Sequence, residues 1–274
     1  MFYRRTRGLT YVAGFFLAVT SFLLAVEEPN FTEQQKIDFM QHADVIASHS
    51  VPTGITSPPR LTLSDGKVTH DASFQTVDEH ANMKEMSDGT TIINFRDDWR
   101  FNIAGYRIAK LIGLDDMVPV YTERKWRGNQ GSISWWVPNV MFDERERTMK
   151  RHESAPDPDA WNRQMYDLRV LTQLFYDQDA NLTNVLIDKD WKIWRIDFTR
   201  AFAEFKTLSV PKDLVMCRKD VYQKLKELNY DQVFAATQPY LTKGQVKAVI
   251  ARRDKIVQIF DQLVAKNGEH NVLF

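Results

Sequence analysis

The stretch Tyr176–Phe202, YDQDANLTNVLIDKDWKIWRIDFTRAF, constrains this chain more than any other. It reads as loop, strand, turn, strand, loop. Val185–Ile187 is a short apolar strand, Lys189–Asp190 supply the turn, and Trp191–Ile196 runs back. Such a hairpin brings groups at both ends of its ribbon to one side of the protein: Asp179 and Asn184 from the first loop, Asp197 from the second. Two acids and an amide at that mouth suit magnesium and phosphate, because hard cations take oxygen ligands and share them with substrate phosphates.

The rest of the chain is rich enough in core formers to support such a site. Its 274 residues suffice for one large domain or two lobes. Lys+Arg and Asp+Glu are both 36, so the net charge is zero and nothing in it suggests an electrostatic nucleic-acid binder. Seven Trp point to a packed rather than a disordered chain. At the N-terminus, Arg4, Arg5 and Arg7 precede the uncharged run Leu9–Val26, which Glu27 and Glu28 close. This is the pattern of a signal peptide or a membrane anchor over residues 1–28. The basic flank would stay in the cytoplasm and the domain would lie outside it, exported or membrane-anchored. Cys217 is the sole cysteine, so no intramolecular disulfide forms; it is read as a packed thiol on a helix. Asn30-Phe31-Thr32 is a glycosylation sequon in a eukaryotic source only.

In chain order, Thr32 and Gln35 form a capping box for a helix reaching about Ala47. The Pro/Gly/Ser loop Val51–Arg60 leads to a hairpin, Leu61–Leu63 and Val68–Val77, turning at Ser64-Asp65-Gly66. Asp78–Gly89 is polar and reads as a loop. Asp97 or Asp98 caps a helix Trp99–Ile112 that Gly113 closes. Strands Met117–Trp126 and Ser132–Val140 follow, joined by RGNQG. The second half is mainly helical: Asp143–Lys150, Asp159–Phe175, and then segments at about 212–228, 231–239 and 243–266 around the organising hairpin. A β-rich half before a helical half predicts two lobes with a ligand cleft between them.

Asp179-x4-Asn184 with Asp197-Phe198 thirteen residues on supplies three roles that phosphoryl transfer needs. Asp179 orients an attacking hydroxyl and takes its proton; Asn184 and Asp197 hold a metal. The plainer reading makes Asp177, Asp179 and Asn181 turn residues that satisfy local backbone N–H groups. A calcium loop, with ligands at Asp177, Asp179, Asn181 and Asp188, fails on Leu182 where glycine is needed and on the strand Val185–Ile187. Six His show no paired ligand spacing. His70 reads as a hydrogen-bonded strand-end residue, and Trp135-Trp136 as strand packing. Arg200 has two readings, a phosphate contact or a partner for Asp197 or Asp179.

The same residues carry a family resemblance. Asp179-x4-Asn184 followed by Asp197-Phe198 resembles the catalytic and metal loops of the protein-kinase-like superfamily. IDFTRAF is similar to the metal loop of its atypical branch, the phosphatidylinositol 3- and 4-kinase-like proteins and the secretory-pathway kinases. GITSPPRLTLSDGKVTHDASFQTVDE, Asn102–Tyr106 with Leu111–Gly113, VPVYTERKWRG and Trp161–Phe202 extend the resemblance, to a bacterial branch with this core. It implies an α+β, two-lobed protein-kinase-like fold, with a β-rich N-lobe at 29–140 and a mainly helical C-lobe at 141–274. ATP and Mg would occupy the cleft, and residues 136–140, Trp136 first, would neighbour the adenine. By the same resemblance Gln75 stands where relatives place a phosphate-positioning Lys, and Asn102 where they place its Glu partner. Lys84 and Arg100 are the candidates to replace the lost charge. There is no G-x-G-x-x-G; Gly54 is the one glycine of the candidate phosphate loop.

Three functions are consistent with this sequence. The first is a kinase moving the ATP γ-phosphate to a hydroxyl of a protein, lipid or sugar. The second is a weak or inactive pseudokinase serving as a binding module in the cell envelope. The third is a structural envelope protein with no nucleotide site.

Overall fold

The computed structural model describes residues 29–50, 58–86 and 89–274. The N-terminal apolar run and most of the Val51–Arg60 loop, Gly54 included, lie outside them. No described helix is long and apolar enough to cross a membrane.

Helix α1 (Glu33–His42) starts at the expected capping box: Thr32 Oγ1 accepts from Gln35 N, and Gln35 Oε1 accepts from Thr32 N. It ends five residues before the expected Ala47. Asp44–His49 is instead strand β1, whose β-branched Val45 and Ile46 suit an edge position paired with β2 (Arg60–Ser64). The predicted hairpin is β2 with β3 (Thr69–Gln75). Asp65 Oδ1 holds its turn by accepting from Lys67 N and Val68 N. The polar stretch Asp78–Gly89 is no loop. It forms β4 (Asp78–Glu85), paired antiparallel with β5 (Thr91–Asp98) in a two-stranded ribbon. Most of the ribbon is exposed, its cross-strand pair Met83–Ile93 included, and Phe95 is its one buried apolar side chain, so no apolar alternation betrays it.

Helix α2 (Arg100–Ile112) begins with Asp98 Oδ1 accepting from Arg100 N at 2.9 Å. It ends at Gly113, whose φ of 75° is the left-handed stop that glycine adopts without strain. The strands β6 (Tyr121–Trp126) and β7 (Asn129–Trp135) complete a five-stranded antiparallel sheet in the order β1-β2-β3-β7-β6. Residues 136–139 then lead to β8 (Val140–Asp143), which joins β9 (Val185–Asp188) and β10 (Ile193–Arg195) in a second sheet, order β10-β9-β8.

The expected charged helix is a short turn α3 (Glu144–Glu146) running into a π-helical turn, Arg147–Arg151. Then come α4 (Pro158–Phe175), capped by Asp157, and, after the hairpin, α5 (Lys219–Glu227), α6 (Tyr230–Thr237) and α7 (Lys243–Asn267). Residues 211–213 form only a 3₁₀ turn, and 214–218 are not helical. Cys217 there pairs backbone to backbone with the C-terminus, through Cys217 N to Val272 O and Phe274 N to Cys217 O. Its thiol is buried as expected, and burial raises its pKa.

Two apolar cores result. The smaller lies under the five-stranded sheet and α1, with Phe39, Met40, Leu61, Leu63, Phe74, Ile133 and Trp135. The larger joins α2, α4, α5 and α7 with β9 and β10, and it takes in Phe198 and Phe202 from the loop after β10.

Candidate active site

β9 and β10 pair in register Ile193↔Ile187, Trp194↔Leu186 and Arg195↔Val185. The turn between them is tied by Asp188, whose carboxylate accepts from Asp190 N, Lys192 N and Trp194 Nε1. That commits Asp188 far from the other supposed calcium ligands, and the calcium reading ends there. At the open end of the ribbon, Asn184 O accepts from Ile196 N at 3.0 Å, which sets Asn184 beside Asp197. Asn184 Nδ2 donates to Asp179 O at 3.2 Å, and no described residue bonds its Oδ1. The three predicted residues thus sit in one chain of short links.

The loop is held from behind by Arg195, which no sequence motif singles out. Arg195 is buried, and its guanidinium donates to Asn184 O, to Ile196 O and to the buried carboxylate of Asp177. Asp177 also accepts from Asp179 N at 3.0 Å, so the turn reading is right about its local bond and incomplete about its role. A signal is present: in Ile193-Trp194-Arg195 the alternation places a cation on the apolar face, and a buried cation needs an acid.

Asp197 has φ of 60°, a left-handed conformation that Asp tolerates better than most residues. Its Oδ1 accepts from Thr199 Oγ1 at 2.9 Å and Thr199 N at 3.3 Å, and its N–H points to the Tyr121 hydroxyl at 3.3 Å. Burial pushes its carboxyl above the ordinary range, against the pull of Thr199 and Arg195, and Asp97 adds to the rise. A desolvated carboxylate of this kind is one a divalent cation would stabilise. Phe198 packs against α2 at Gly105, where a Cβ would stand 2.9 Å from the ring. Phe198 N donates to Asn102 Oδ1 at 2.7 Å.

Asn102 in turn donates to Gln75 Oε1 and to Ser132 Oγ, all three buried. The two positions that the resemblance matched to Lys and Glu therefore touch, as a neutral pair. Gly131 lets β7 approach Gln75, since a Cβ there would lie 2.3 Å from Gln75 O. Lys84 is elsewhere: it grips Glu79 on the β4–β5 ribbon at 2.6 Å and covers the Phe95 ring. Arg100 pairs with Asp78 and Asp98. Trp136 starts the 136–139 connection, with its N–H on Asp71 O and the Arg60 guanidinium over its ring. His70 stacks on Trp135 at 3.7 Å.

Arg200 takes the acid-partner role, and with a second acid, Asp97, that local sequence offers only as a helix cap. It reaches Asp179 Oδ2 at 3.2 Å and Asp97 Oδ2 at 3.1 Å. Asn181 Nδ2 covers Asp179 Oδ1 at 2.8 Å. Each carboxylate oxygen retains a further lone pair, so Asp179 can still accept from an incoming hydroxyl. Beside this loop lies a cavity of ≈ 670 Å³. The β4–β5 ribbon, Gln178, residues 201–205 and Gln245 line it, and it is within the range that holds a small ligand.

No family model and no curated protein sequence matches the chain. Solved structures do. The hydra Fam20 structure with sugar superposes with a TM-score of 0.63 at 13% identity, covering 88% of this chain and 91% of that one. The Golgi casein kinase with Mn/ADP bound gives 0.62 at 13% identity, covering 88% and 78%. The Helicobacter pylori proinflammatory kinase CtkA gives 0.52 at 10% identity, covering 83% and 98%. At these identities the likeness is one of fold, and the fold of this chain is kinase-like.

Proposed function

We propose that the chain is a kinase-like phosphotransferase that moves the ATP γ-phosphate to a hydroxyl of a protein, lipid or sugar. The observation that carries this is the linked set Asp179, Asn184 and Asp197 at the mouth of the β9–β10 hairpin, within a kinase-like fold. Asp179 orients the acceptor hydroxyl and takes its proton. Asn184, through its free amide oxygen, and Asp197 are the residues that would hold Mg²⁺ or Mn²⁺. The ion would neutralise phosphate charge in the transition state. The Mn/ADP in the Golgi casein kinase structure supports a nucleotide and a divalent ion here. On the nucleotide side we place Gln75 and Trp136, and Lys84 if it exchanges Glu79 for phosphate. Assignment to the phosphatidylinositol-kinase-like proteins or to a bacterial branch rests on the motif IDFTRAF and its neighbours, and the exported or membrane-anchored location on the N-terminal run.

The Gln75–Asn102 pair favours a second reading, a pseudokinase that binds without turnover. It supplies hydrogen bonds and no charge to the phosphates. A thermal shift with ATP and Mg²⁺, followed by an assay for autophosphorylation, tests both. Phosphate transfer that is lost in Asp197→Ala is the expected result. Transfer surviving that substitution removes the metal role, binding with no transfer supports the pseudokinase, and no shift at millimolar nucleotide sinks both readings.

A further inference from the structure

Away from Asp179 and Asn184, three metal-type donors converge at the base of the β4–β5 ribbon. Asp78 stands directly across from Asp98 in the register, and His80 is two residues along β4, on the same face as Asp78. His80 Nε2 lies 3.1 Å from Asp78 Oδ1 and 3.5 Å from Asp98 Oδ2. All three donor atoms fall within 4.8 Å of one another. Donors bound to one ion at roughly 2.0–2.2 Å stand about 3.0–3.5 Å apart, and both distances from His80 fall in that range.

The outer shell is built as well. Arg100 Nη1 takes the opposite oxygens, Asp78 Oδ2 at 2.9 Å and Asp98 Oδ1 at 3.0 Å. This leaves one oxygen of each carboxylate facing the imidazole and fixes both carboxylates in that orientation, the task outer groups perform at metal sites. The two carboxylates share one permanent cation, the Arg100 guanidinium. Asp98 is buried while Asp78 and His80 are exposed. His80 also lines the ≈ 670 Å³ cavity, which gives an ion a path in.

We infer that Asp78, His80 and Asp98 form a site for a borderline transition-metal ion of the Zn²⁺ or Co²⁺ class. One imidazole nitrogen with two carboxylate oxygens suits such ions better than Mg²⁺, which the all-oxygen set Asn184/Asp197 suits. The ion would clamp β4 to β5. Asp98 N donates to Thr199 O at 2.8 Å, so the clamp lies one backbone hydrogen bond from the loop that carries Asp197. The assignment is independent of the kinase reading.

The test is a Co²⁺ titration of the nucleotide-free Asp197→Asn protein, followed by its visible d–d bands and by paramagnetic shifts of the His80 ring protons. The expected result is one saturable equivalent that excess Mg²⁺ does not displace, with a melting temperature raised by roughly 5 °C at saturation. Adding His80→Gln or Asp78→Asn, both at exposed positions, weakens Co²⁺ at least tenfold while the metal-free melting temperature stays within a few degrees. Binding unchanged in His80→Gln, displacement by Mg²⁺, or no saturable equivalent at all overturns the site. In any of those cases the four side chains are an ion-pair network only.

Discussion

Two polar clusters grip the loop 195–199, and they do so with different chemistry. Behind the loop, Arg195 and Asp177 are a buried ion pair that also fixes the Asn184 and Ile196 carbonyls. In front, Gln75, Asn102 and Ser132 are a neutral relay that ends on Phe198 N. The charged cluster never needs to face a ligand, so its charge is matched within the protein. The neutral one stands at the positions that the sequence resemblance matches to a charged pair. Under the kinase reading, the Gln75–Asn102 pair itself neutralises no phosphate charge.

The charged cluster should show the largest effect. Asp177→Ala leaves the Arg195 guanidinium buried without its acid, a change that costs about 3–5 kcal/mol. Urea denaturation should report it as a lower midpoint at unchanged slope. A loss below about 1 kcal/mol would mean that solvent reaches Arg195 and that the two clusters do not differ in kind.

A poorly matched charge pair elsewhere gives the contrast its scale. Asp167 on α4 shares Arg218, 3.8 Å away, with Asp116 and Asp220, and its Oδ1 is buried without a partner. Burial lifts its pKa to about 7; Arg218 opposes the rise and Asp116 adds to it. The folded pKa lies above the unfolded one, so this group favours folding most below about pH 4, and that contribution is lost as pH rises through about 7. Asp167→Asn should then stabilise the protein at pH 8 by on the order of 2 kcal/mol, with the gain fading toward pH 4. Melting curves of both proteins across that range check it, and a gain that is flat with pH would assign the effect to packing.

The neutral cluster should respond less than the ion pair. Asn102→Ala strands Phe198 N and the Gln75 amide, at a cost of about 1–3 kcal/mol. Its sharper readout is hydrogen exchange at Phe198, which should speed up while the amides of β9 stay protected.

The difference between the clusters also marks how far the sequence can be read. Asp179, Asn184 and Asp197 are legible because their spacing fits a hairpin mouth, and the capping box at Thr32 and the stop at Gly113 because caps are local. The β4–β5 ribbon is not, since it is mostly exposed and buries one apolar side chain, Phe95, which leaves no periodicity to read. Arg195 escapes notice although its alternation is visible. The pairing of Arg200 with Asp97 joins residues about a hundred positions apart, and no local pattern carries that. The contact between Gln75 and Asn102 is implied by the resemblance, and its neutrality can be read from the residue types.

The smallest expected effect is the most informative about function. Gln75→Lys with Asn102→Glu installs the charged pair that the sequence resemblance implies at these positions. The buried pair gains little stability by itself, because desolvation offsets the attraction. Asn102→Glu also removes the amide that donates to Ser132, while its carboxylate can still accept from Phe198 N. Under the kinase reading, the ammonium introduced by Gln75→Lys would add one cation beside the phosphates and tighten Mg·ATP by about tenfold, near 1.4 kcal/mol. Calorimetry with Mg·ATP and with adenosine separates the outcomes. Tighter Mg·ATP at unchanged adenosine affinity places the phosphates against Gln75. Equal changes in both would place them elsewhere, and the neutral pair would then be a structural strut for Phe198 rather than a wall of the nucleotide site.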